Sequence, residues 1–340
     1  MSNNLVQAFP VQHFPTEVPD QVVVSVVVVT YNHEKYIAEC LDSILMQETS
    51  FPFEIVLGED ESSDNTRKIC VKYATEFPEN IRLFLHDRRN VIKIDGNPTG
   101  RFNFTYLLNN CQSKYIALCE GDDYWTDPSK LQNQVALLDD GYYSGCFHET
   151  QSIYENGELG KIYGHFAPDT IFLKDTFSTT SIFHTSSFIF RNEHLEFPNW
   201  FNEVASCDMA LFSIICSKAP LIKLPGILSH YRKHIGGLTN TSTHQGFEYH
   251  KHRIDLMDNL LNHFPSEKNK ILLVRKYHWI TAFSLLMDAN KKPDWPFVKT
   301  ILEYLPYLSS SDLKTLFSCF VGYFTLLLKR GFRGNSNDVD

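Results

Sequence analysis

The sequence lacks the patterns that mark several common classes of protein. Lysine and arginine nowhere form a long run among its 340 residues, and the net charge is −9 with histidine neutral. A nucleic-acid partner is therefore not expected, because neutralising phosphates takes a clustered basic surface. No G-x-x-x-x-G-K-[ST] or G-x-G-x-x-G loop stands where it would cradle a phosphate, and no G-x-S-x-G elbow or H-E-x-x-H zinc motif occurs.

Two further absences bear on where the protein works. The eight cysteines include no C-x-x-C pair, and most adjoin apolar residues. This favours buried, reduced thiols over a disulfide or zinc framework. The N-terminal stretch is polar, with no basic start followed by an apolar segment, so no secretory signal peptide is expected. Both features favour a cytoplasmic location.

The strongest membrane candidate lies near the other end of the chain. The apolar stretch 315–328 is followed directly by Lys329 and Arg330. At about 14 residues it is shorter than the roughly 20 that a spanning helix needs, so we expect a packed helix. The alternative is an interfacial helix, in which 315–330 holds the protein peripherally on the inner face of an anionic membrane.

Segments of strand and helix type alternate over the first part of the chain. The valine-rich run 22–30 predicts a strand buried on both faces, and 35–47 has helical apolar spacing. This alternation implies an α/β fold with a doubly wound, mainly parallel sheet and right-handed crossovers. The further predicted elements are strands at 53–57, 81–85, 115–119, 143–147 and 186–191, helices at 66–77, 104–111 and 209–216, and a helical C-terminal extension from 247 to about 331.

The acidic run Glu120-Gly121-Asp122-Asp123 follows the fourth predicted strand. Its three carboxylates repel one another unless a cation or a network of hydrogen bonds stabilises their charge. A hard divalent ion such as Mg²⁺ or Mn²⁺ prefers oxygen ligands and keeps positions for water and phosphate. The alternative is a solvated acidic turn that caps the helix after Pro128.

A second polar cluster, 58–66, follows the second predicted strand. Ser63 or Asp64 is expected to cap the next helix, which leaves Asp60 unexplained. A carboxylate there could accept a hydrogen bond from a base N–H and so select a uracil-like edge. Together with the polar end of the first strand, this puts three polar clusters beyond strand carboxyl ends, where such sheets bind ligands.

Three motifs in this order resemble family 2 glycosyltransferases of the GT-A fold. They are Val-Val-Thr30-Tyr31-Asn32, the cluster Glu59 to Thr66, and the strand Tyr115 to Cys119 with its acidic run. The resemblance covers roughly 22–240. It implies a GT-A domain over 22–240, with a nucleotide-binding half at 22–125 and an acceptor half at 126–240, between a lead-in at 1–21 and a helical region at 241–340.

The resemblance also implies roles for particular residues. Asp60 would bind the base, and Asp122 and Asp123 the ribose and a metal-bridged diphosphate, with Asp123 the first choice for the metal and Glu120 an atypical member. Asp208, at the start of a predicted helix, would be the general base. The nucleotide contacts are expected from Thr30, Tyr31, Asn32 and Arg101, the diphosphate contacts from a basic loop with Arg232 and Lys233, a third metal ligand from His234, and sugar or acceptor contacts from Glu120, Thr185 and Ser186.

These expectations describe an inverting transferase that moves a sugar from a nucleoside diphosphate, UDP in the first instance, to a hydroxyl acceptor. The metal would be Mn²⁺ or Mg²⁺, and the acceptor a saccharide or lipid-linked saccharide in bacterial surface polysaccharide synthesis. Two alternatives stay open: a nucleotidyltransferase, and a nucleotide-sugar-binding protein without catalysis. The sequence determines neither the sugar, the linkage nor the oligomeric state.

Overall fold

The structure is a computed structural model that describes residues 5–237, 246–286 and Lys314. The chain divides into two compact units, Met1–Gly237 and Leu238–Asp340. The segment 315–330, for which sequence predicts a packed or interfacial helix, lies outside the described residues. Within the described part of the chain, no helix combines the length and the apolar character that crossing a membrane requires.

The first unit is a large sheet flanked by helices. Its strands are β1 (Gln12–His13), β2 (Val24–Thr30), β3 (Phe53–Glu59), β4 (Ile81–Leu85), β5 (Lys93–Ile94), β6 (Asn97–Pro98), β7 (Tyr115–Glu120), β8 (Tyr124–Trp125), β9 (Gly145–Tyr154), β10 (Leu159–Tyr163), β11 (Thr170–Ile171), β12 (Ile189–Arg191) and β13 (Leu221–Lys233). Its helices are α1 (Ile37–Leu45), α2 (Thr66–Glu76), α3 (Arg101–Asn110), α4 (Lys130–Leu138), α5 (Leu173–Thr176) and α6 (Cys207–Cys216), with a 3-10 turn at Thr185–Ser187.

The strand order across the main sheet is β1-β4-β3-β2-β7-β12-β9-β13-β11. Strands β4, β3, β2 and β7 run parallel, which confirms the doubly wound arrangement predicted for the first half. Strand β12 is antiparallel to both of its neighbours, and β13 pairs with β9 in parallel, so the second half of the sheet is mixed. The small strands β5 and β6 form a separate ribbon.

The valine-rich strand β2 lies in the middle of the parallel part. Val24, Val26 and Val28 are fully buried on one face, and Val27 is buried on the other. Neither face of this strand is exposed to solvent, and β-branched side chains such as valine favour a β-strand that is covered on both faces. Its C-terminal residue therefore comes out at the edge of the sheet beside the ends of β3 and β7.

One predicted loop is a strand in the structure. The resemblance implies a basic loop that carries Arg232 and Lys233, yet both residues lie at the end of β13. The reason is main-chain pairing, because Arg232 and Lys233 stand opposite Ile153 and Tyr154 of β9 in a parallel register. Only the stretch from His234 onward leaves the sheet, and residues 238–245 lie outside the described part of the chain.

The second unit begins, in its described part, with two helices. They are α7 (Phe247–His263) and α8 (Lys268–Leu286), which confirms the predicted helical spacing from 247 as far as 286. Leu256, Met257 and Leu260 are buried along α7. An ion pair joins the two helices, since Arg275 Nε lies 2.5 Å from Asp258 Oδ1.

Candidate active site

Three polar strand ends meet at one edge of the parallel sheet. In the register of β2, Thr30 stands opposite Glu59 of β3, and Val29 stands opposite Glu120 of β7. The turns that follow these strands therefore project from the same edge. This is the position at which open α/β sheets bind ligands.

The first cluster gathers around Asp122. Its Oδ2 lies 3.0 Å from His234 Nε2 and 3.8 Å from His33 Nε2, and the three possible ligand atoms lie within 4.8 Å of one another. Burial alone would raise the pKa of Asp122, but the hydrogen bond from His234 and the nearby His33 hold that pKa below its ordinary value. These three side chains could hold a divalent ion through one carboxylate oxygen and two imidazole nitrogens, a donor set that transition metals accept more readily than Mg²⁺ does.

Gly121 allows this turn because no side chain fits there. A Cβ added at Gly121 would lie 2.7 Å from both Cβ and Oγ1 of Thr30. Thr30 is itself buried, and its Oγ1 lies 3.2 Å from His33 Nδ1. This contact with Thr30 orients the His33 imidazole toward the Asp122 carboxylate. The end of the first strand thus supports the Asp122 cluster.

Asp123 faces a different group of side chains. Its Oδ1 accepts a hydrogen bond from the main-chain N–H of Arg232 at 2.9 Å, and its Oδ2 lies 3.6 Å from His184 Nδ1. Burial, with the charges of Asp122 and Glu120, raises the pKa of Asp123 well above its ordinary value. Burial likewise raises the pKa of Glu120 to about 7, although a hydrogen bond with Thr185 opposes that rise.

The end of β3 forms a second cluster, around Asp60. Asp60 is 5% exposed, and its Oδ2 accepts a hydrogen bond from Arg88 Nη1 at 2.8 Å. The same guanidinium lies over the ring of Tyr31, 3.8 Å from its centroid. Burial raises the pKa of Asp60 to about 6, and the charge of Arg88 opposes that rise.

Asn32 acts on the loop rather than pointing into this cluster. It has a positive φ of 56°, a conformation that asparagine tolerates better than most residues. Its Oδ1 accepts a hydrogen bond from the Ser63 N–H at 2.9 Å, and its own N–H donates to Ser62 Oγ at 2.9 Å. Asn32 therefore fixes the loop after β3 against the end of β2.

Asp208 lies in the first turn of α6, as the sequence predicts. Its Oδ2 accepts a hydrogen bond from Ser181 Oγ at 3.1 Å. Besides burial, the charge of Asp208 contributes to the raised pKa of Glu120, which indicates that this carboxylate lies on the side of the sheet that carries the acidic run. Ser206, the residue before the helix, makes no side-chain capping hydrogen bond. Asp208 is the acidic residue of the first turn of α6.

Arg232 is engaged within the protein. Its Nε donates to the main-chain oxygen of Asp122 at 2.9 Å, and its Nη2 forms an ion pair with Glu39 at 2.7 Å. The guanidinium also lies between the rings of Tyr36 and Tyr124, 4.9 Å from each centroid. It therefore braces the turn that carries Asp122.

The other predicted contacts have separate surroundings. Lys233 lies over the ring of Tyr154, with Nζ 5.5 Å from its centroid. Thr185 bonds to Glu120, whereas Ser186 is fully buried and its Oγ lies 3.0 Å from Ser229 Oγ. Arg101, for which the resemblance implies a nucleotide contact, is buried and donates to main-chain oxygens of the segment before α6.

Three residues of this region were missed at the sequence level: His33, Arg88 and His184. His33 directly follows the Thr30-Tyr31-Asn32 motif, so its position was a usable signal. Arg88 follows β4, the third strand predicted from the sequence. Because β4 neighbours β3, an ion pair between Arg88 and Asp60 could have been predicted.

His184 directly precedes Thr185 and Ser186, from which sugar or acceptor contacts are expected, so its position was also a usable signal. Its ring stacks on Tyr231 with centroids 4.3 Å apart.

The class of protein follows from comparison with known families. A family model described as Glycosyl transferase family 2 matches residues 25–215. Because this match covers more than half of the chain, the chain belongs to glycosyl transferase family 2. The matched region contains the three strand ends and Asp208, but it ends before Arg232 and His234.

Individual relatives match part of the chain, and one of them is a named glycosyltransferase. An uncharacterized protein of Mycobacterium tuberculosis is 32% identical over 222 residues, which is 64% of this chain and 61% of that protein. The poly(ribitol-phosphate) beta-N-acetylglucosaminyltransferase TarS of Staphylococcus aureus is 26% identical over 197 residues, 56% of this chain and 31% of TarS. The matches thus span about three fifths or less of these relatives' own lengths.

A solved structure confirms the predicted fold class. The crystal structure of S. aureus TarS 1-349 in complex with UDP-GlcNAc matches with a TM-score of 0.63, at 17% identity and with 94% of both chains covered. At this identity the likeness concerns the fold. It confirms a GT-A-type sheet with C-terminal helices.

Proposed function

We propose that this protein is an inverting glycosyltransferase that transfers a sugar from a UDP-sugar to a hydroxyl acceptor. The observation that carries the proposal is the convergence, at one sheet edge, of Asp60 with Arg88 and of Asp122 with two histidines, with Asp208 near enough for its charge to act on Glu120. These are the three parts that the reaction needs: a base site, a diphosphate site and a proton acceptor. Family membership and a β-N-acetylglucosaminyltransferase among the relatives support the class of reaction.

The Asp60–Arg88 pair supports a uracil base. Uracil N3–H is a donor between two carbonyl acceptors, so it complements a carboxylate that is flanked by a guanidinium. Cytosine has an unprotonated N3 and would meet the Asp60 carboxylate with a lone pair. Tyr31, which stacks beneath Arg88, offers an aromatic face for the base or for the cation that reads it.

Asp122 and His234, with His33, are our choice of residues to hold a divalent ion. The donor set fits Mn²⁺ better than Mg²⁺, because two of its three ligand atoms are imidazole nitrogens, and burial lowers the pKa of His33, which favours the neutral ring that a metal ligand needs. A bound Mn²⁺ or Mg²⁺ would stabilise the negative charge that develops on the leaving diphosphate.

Asp123, the first choice from the sequence, accepts the Arg232 N–H with its Oδ1, while its Oδ2 belongs to a second group that could hold an ion, with Glu120 and His184. We propose Asp122 as the main ligand, because two imidazoles face it, and a supporting role for Asp123.

Asp208 is proposed to take the proton of the acceptor hydroxyl as its oxygen attacks the anomeric carbon. Attack on the face opposite the diphosphate inverts that carbon in one displacement, so no enzyme nucleophile is required. Ser181 orients the carboxylate by a hydrogen bond to Oδ2, which leaves Oδ1 for the acceptor. A saccharide or lipid-linked saccharide acceptor, in the assembly of a bacterial surface polymer, is the setting that we propose.

The experiment is a thermal-unfolding screen of nucleotide-sugars with and without Mn²⁺. A ligand that binds only the native state raises the unfolding temperature by an amount set by its concentration over Kd. We expect UDP-sugars to stabilise the wild type more with Mn²⁺ than without it, and Asp122→Asn to lose that difference. Glu158→Gln, an exposed carboxylate on the β9–β10 turn, is the matched control and should behave as wild type. An equal Mn²⁺ effect in Asp122→Asn would refute the metal assignment.

A second measurement separates catalysis from binding alone. With the donor found in the screen, release of UDP is followed in the presence of candidate acceptors. No release by the wild type with any acceptor or with water, despite tight donor binding, would favour the non-catalytic alternative.

A further inference from the structure

Arg101 is a buried cation whose partners are main-chain carbonyls. Its Nη2 donates to the oxygens of Val204 at 2.7 Å and Ala205 at 3.0 Å. Its Nε and Nη1 are also buried, and neither has a hydrogen-bond partner within the described part of the chain. Burial lowers the pKa of Arg101 to about 10, and attraction to Asp208 opposes that shift. Burying a guanidinium with two of its nitrogens unpaired destabilises the fold, so the position of Arg101 calls for an explanation other than stability.

The carbonyls that Arg101 holds belong to the segment that leads into α6. Ala205 and Ser206 precede the first residue of that helix, and Asp208 is its second residue. One turn further along α3, Thr105 Oγ1 donates to Asn202 Oδ1 at 2.7 Å. Helix α3 therefore holds the segment 202–205 at two points, just before the chain reaches the proposed base.

The same helix also contacts the nucleobase side of the site. Asn103 Nδ2 donates to the main-chain oxygen of Gly58 at 2.8 Å, two residues before Asp60. The first turn of α3 thus fixes one side of the proposed donor site through Asn103 and the approach to Asp208 through Arg101. Rigid elements set catalytic distances more closely than loops do.

We infer that Arg101 is a positioning residue: it fixes the carbonyls of Val204 and Ala205 and thereby sets where Asp208 stands against the acceptor hydroxyl. The inference rests on the proposed function, because it concerns the residue proposed as base. Arginine suits the task, since its planar fork donates to two acceptors from one nitrogen while its charge stays fixed. Lysine offers a single flexible ammonium and would hold the segment less closely.

The test compares Arg101→Met with Arg191→Met in the full chain. Arg191 is also buried and also donates to carbonyls, those of Tyr143 and Leu138, but it contacts none of the proposed site residues. Both variants are expected to unfold at lower temperature. Only Arg101→Met should lower kcat, by about 100-fold, because a displacement of about 1 Å in a catalytic group has that effect. Its donor Kd should match that of the wild type.

Two further measurements complete this comparison. Methylguanidinium should restore part of kcat in Arg101→Ala, whose short side chain leaves room for it, and should not change kcat in Arg191→Met. Arg101→Lys, which keeps the charge and so protects the fold, should fall between wild type and Arg101→Met. Equal kcat in the two methionine variants would overturn the inference. So would a loss of donor affinity that accounts for the whole loss of activity, since Arg101 would then be a nucleotide contact.

Hydrogen exchange separates this inference from the proposed function. Amides of 202–210 should exchange faster in Arg101→Met than in wild type or Arg191→Met, and this measurement needs no substrate. Unchanged protection there overturns the positioning role whatever the activity. Absence of sugar transfer by the wild type refutes the proposed function instead, while the exchange data still decide whether Arg101 holds the segment.

Discussion

Replacing Arg88 by methionine tests the proposed base site most directly. The change removes the guanidinium that pairs with Asp60 and lies over Tyr31, while it keeps an apolar side chain of similar length. In wild type the pair is largely shielded from water, with the Asp60 side chain 7% and that of Arg88 25% exposed. We therefore expect the loss of UDP-binding free energy in Arg88→Met to be as large as that of a hydrogen bond to a charged group.

That range is about 1.5–3 kcal/mol, which corresponds to a UDP affinity between roughly 10-fold and 150-fold weaker. The pH dependence should change as well. The pKa of Asp60 is raised to about 6 by burial against the opposing charge of Arg88. A base N–H needs the ionised carboxylate, so wild-type UDP affinity should fall as pH drops through about 6. Without Arg88 the pKa rises further, and this fall should begin at higher pH.

The assay is calorimetric titration of UDP and CDP between pH 5 and pH 8. Arg89→Met is the matched control, because Arg89 is the neighbouring arginine, is 66% exposed and pairs with Asp87 instead. We expect the control to bind UDP as wild type does. Unchanged UDP affinity in Arg88→Met, or equal losses of UDP and CDP affinity, would refute the argument that the pair recognises a uracil edge.

Three other changes test separate parts of the structure. Asp208→Asn should keep donor binding and lower the transfer rate by about 10²–10⁴-fold, as measured by UDP release; a wild-type rate would remove Asp208 as base. Gly121→Ala should destabilise the fold by about 1–3 kcal/mol in urea unfolding, whereas Gly100→Ala, with open space around it, should not; similar losses would contradict the steric argument. Burial lowers the pKa of Lys130 to about 7, so the free energy of unfolding of the wild type should rise as pH increases from 7 towards the ordinary pKa of lysine. Lys130→Met should reduce that rise by at least about 1 kcal/mol. An unchanged pH dependence of the free energy of unfolding would show that Lys130 is not its source.

Much of the parallel half could be predicted because its signals are local. The valine run, the helical spacing of α1 and α2 and the strand Ile81–Leu85 each depend on a few adjacent residues. The second half was less predictable. The sequence does not indicate strand β10, and it predicts a loop over part of β13. The polar residues of both strands are stabilised by pairing with β9, which a local pattern does not show.

The site shows the same division between local and distant information. Asp60, Asp122 and Asp208 stand at strand and helix ends that the sequence indicates. Which side chains surround them is decided by folding. His234 reaches Asp122 from 112 residues away, and Arg101 lies against a segment more than 100 residues further on. No spacing rule within one motif could predict such pairs.

The two glycines at the strand ends have a consequence for evolution. A Cβ on Gly58 would lie 1.9 Å from Asn103 Oδ1, and one on Gly121 would collide with Thr30. Neither glycine has a side chain with which to contact a ligand. Selection should nevertheless hold both unchanged, since any larger residue would push apart the elements that carry Asp60 and Asp122. Among descendants of this protein that lose the proposed transfer activity but still fold, we expect Gly58 and Gly121 to be retained longer than Asp208.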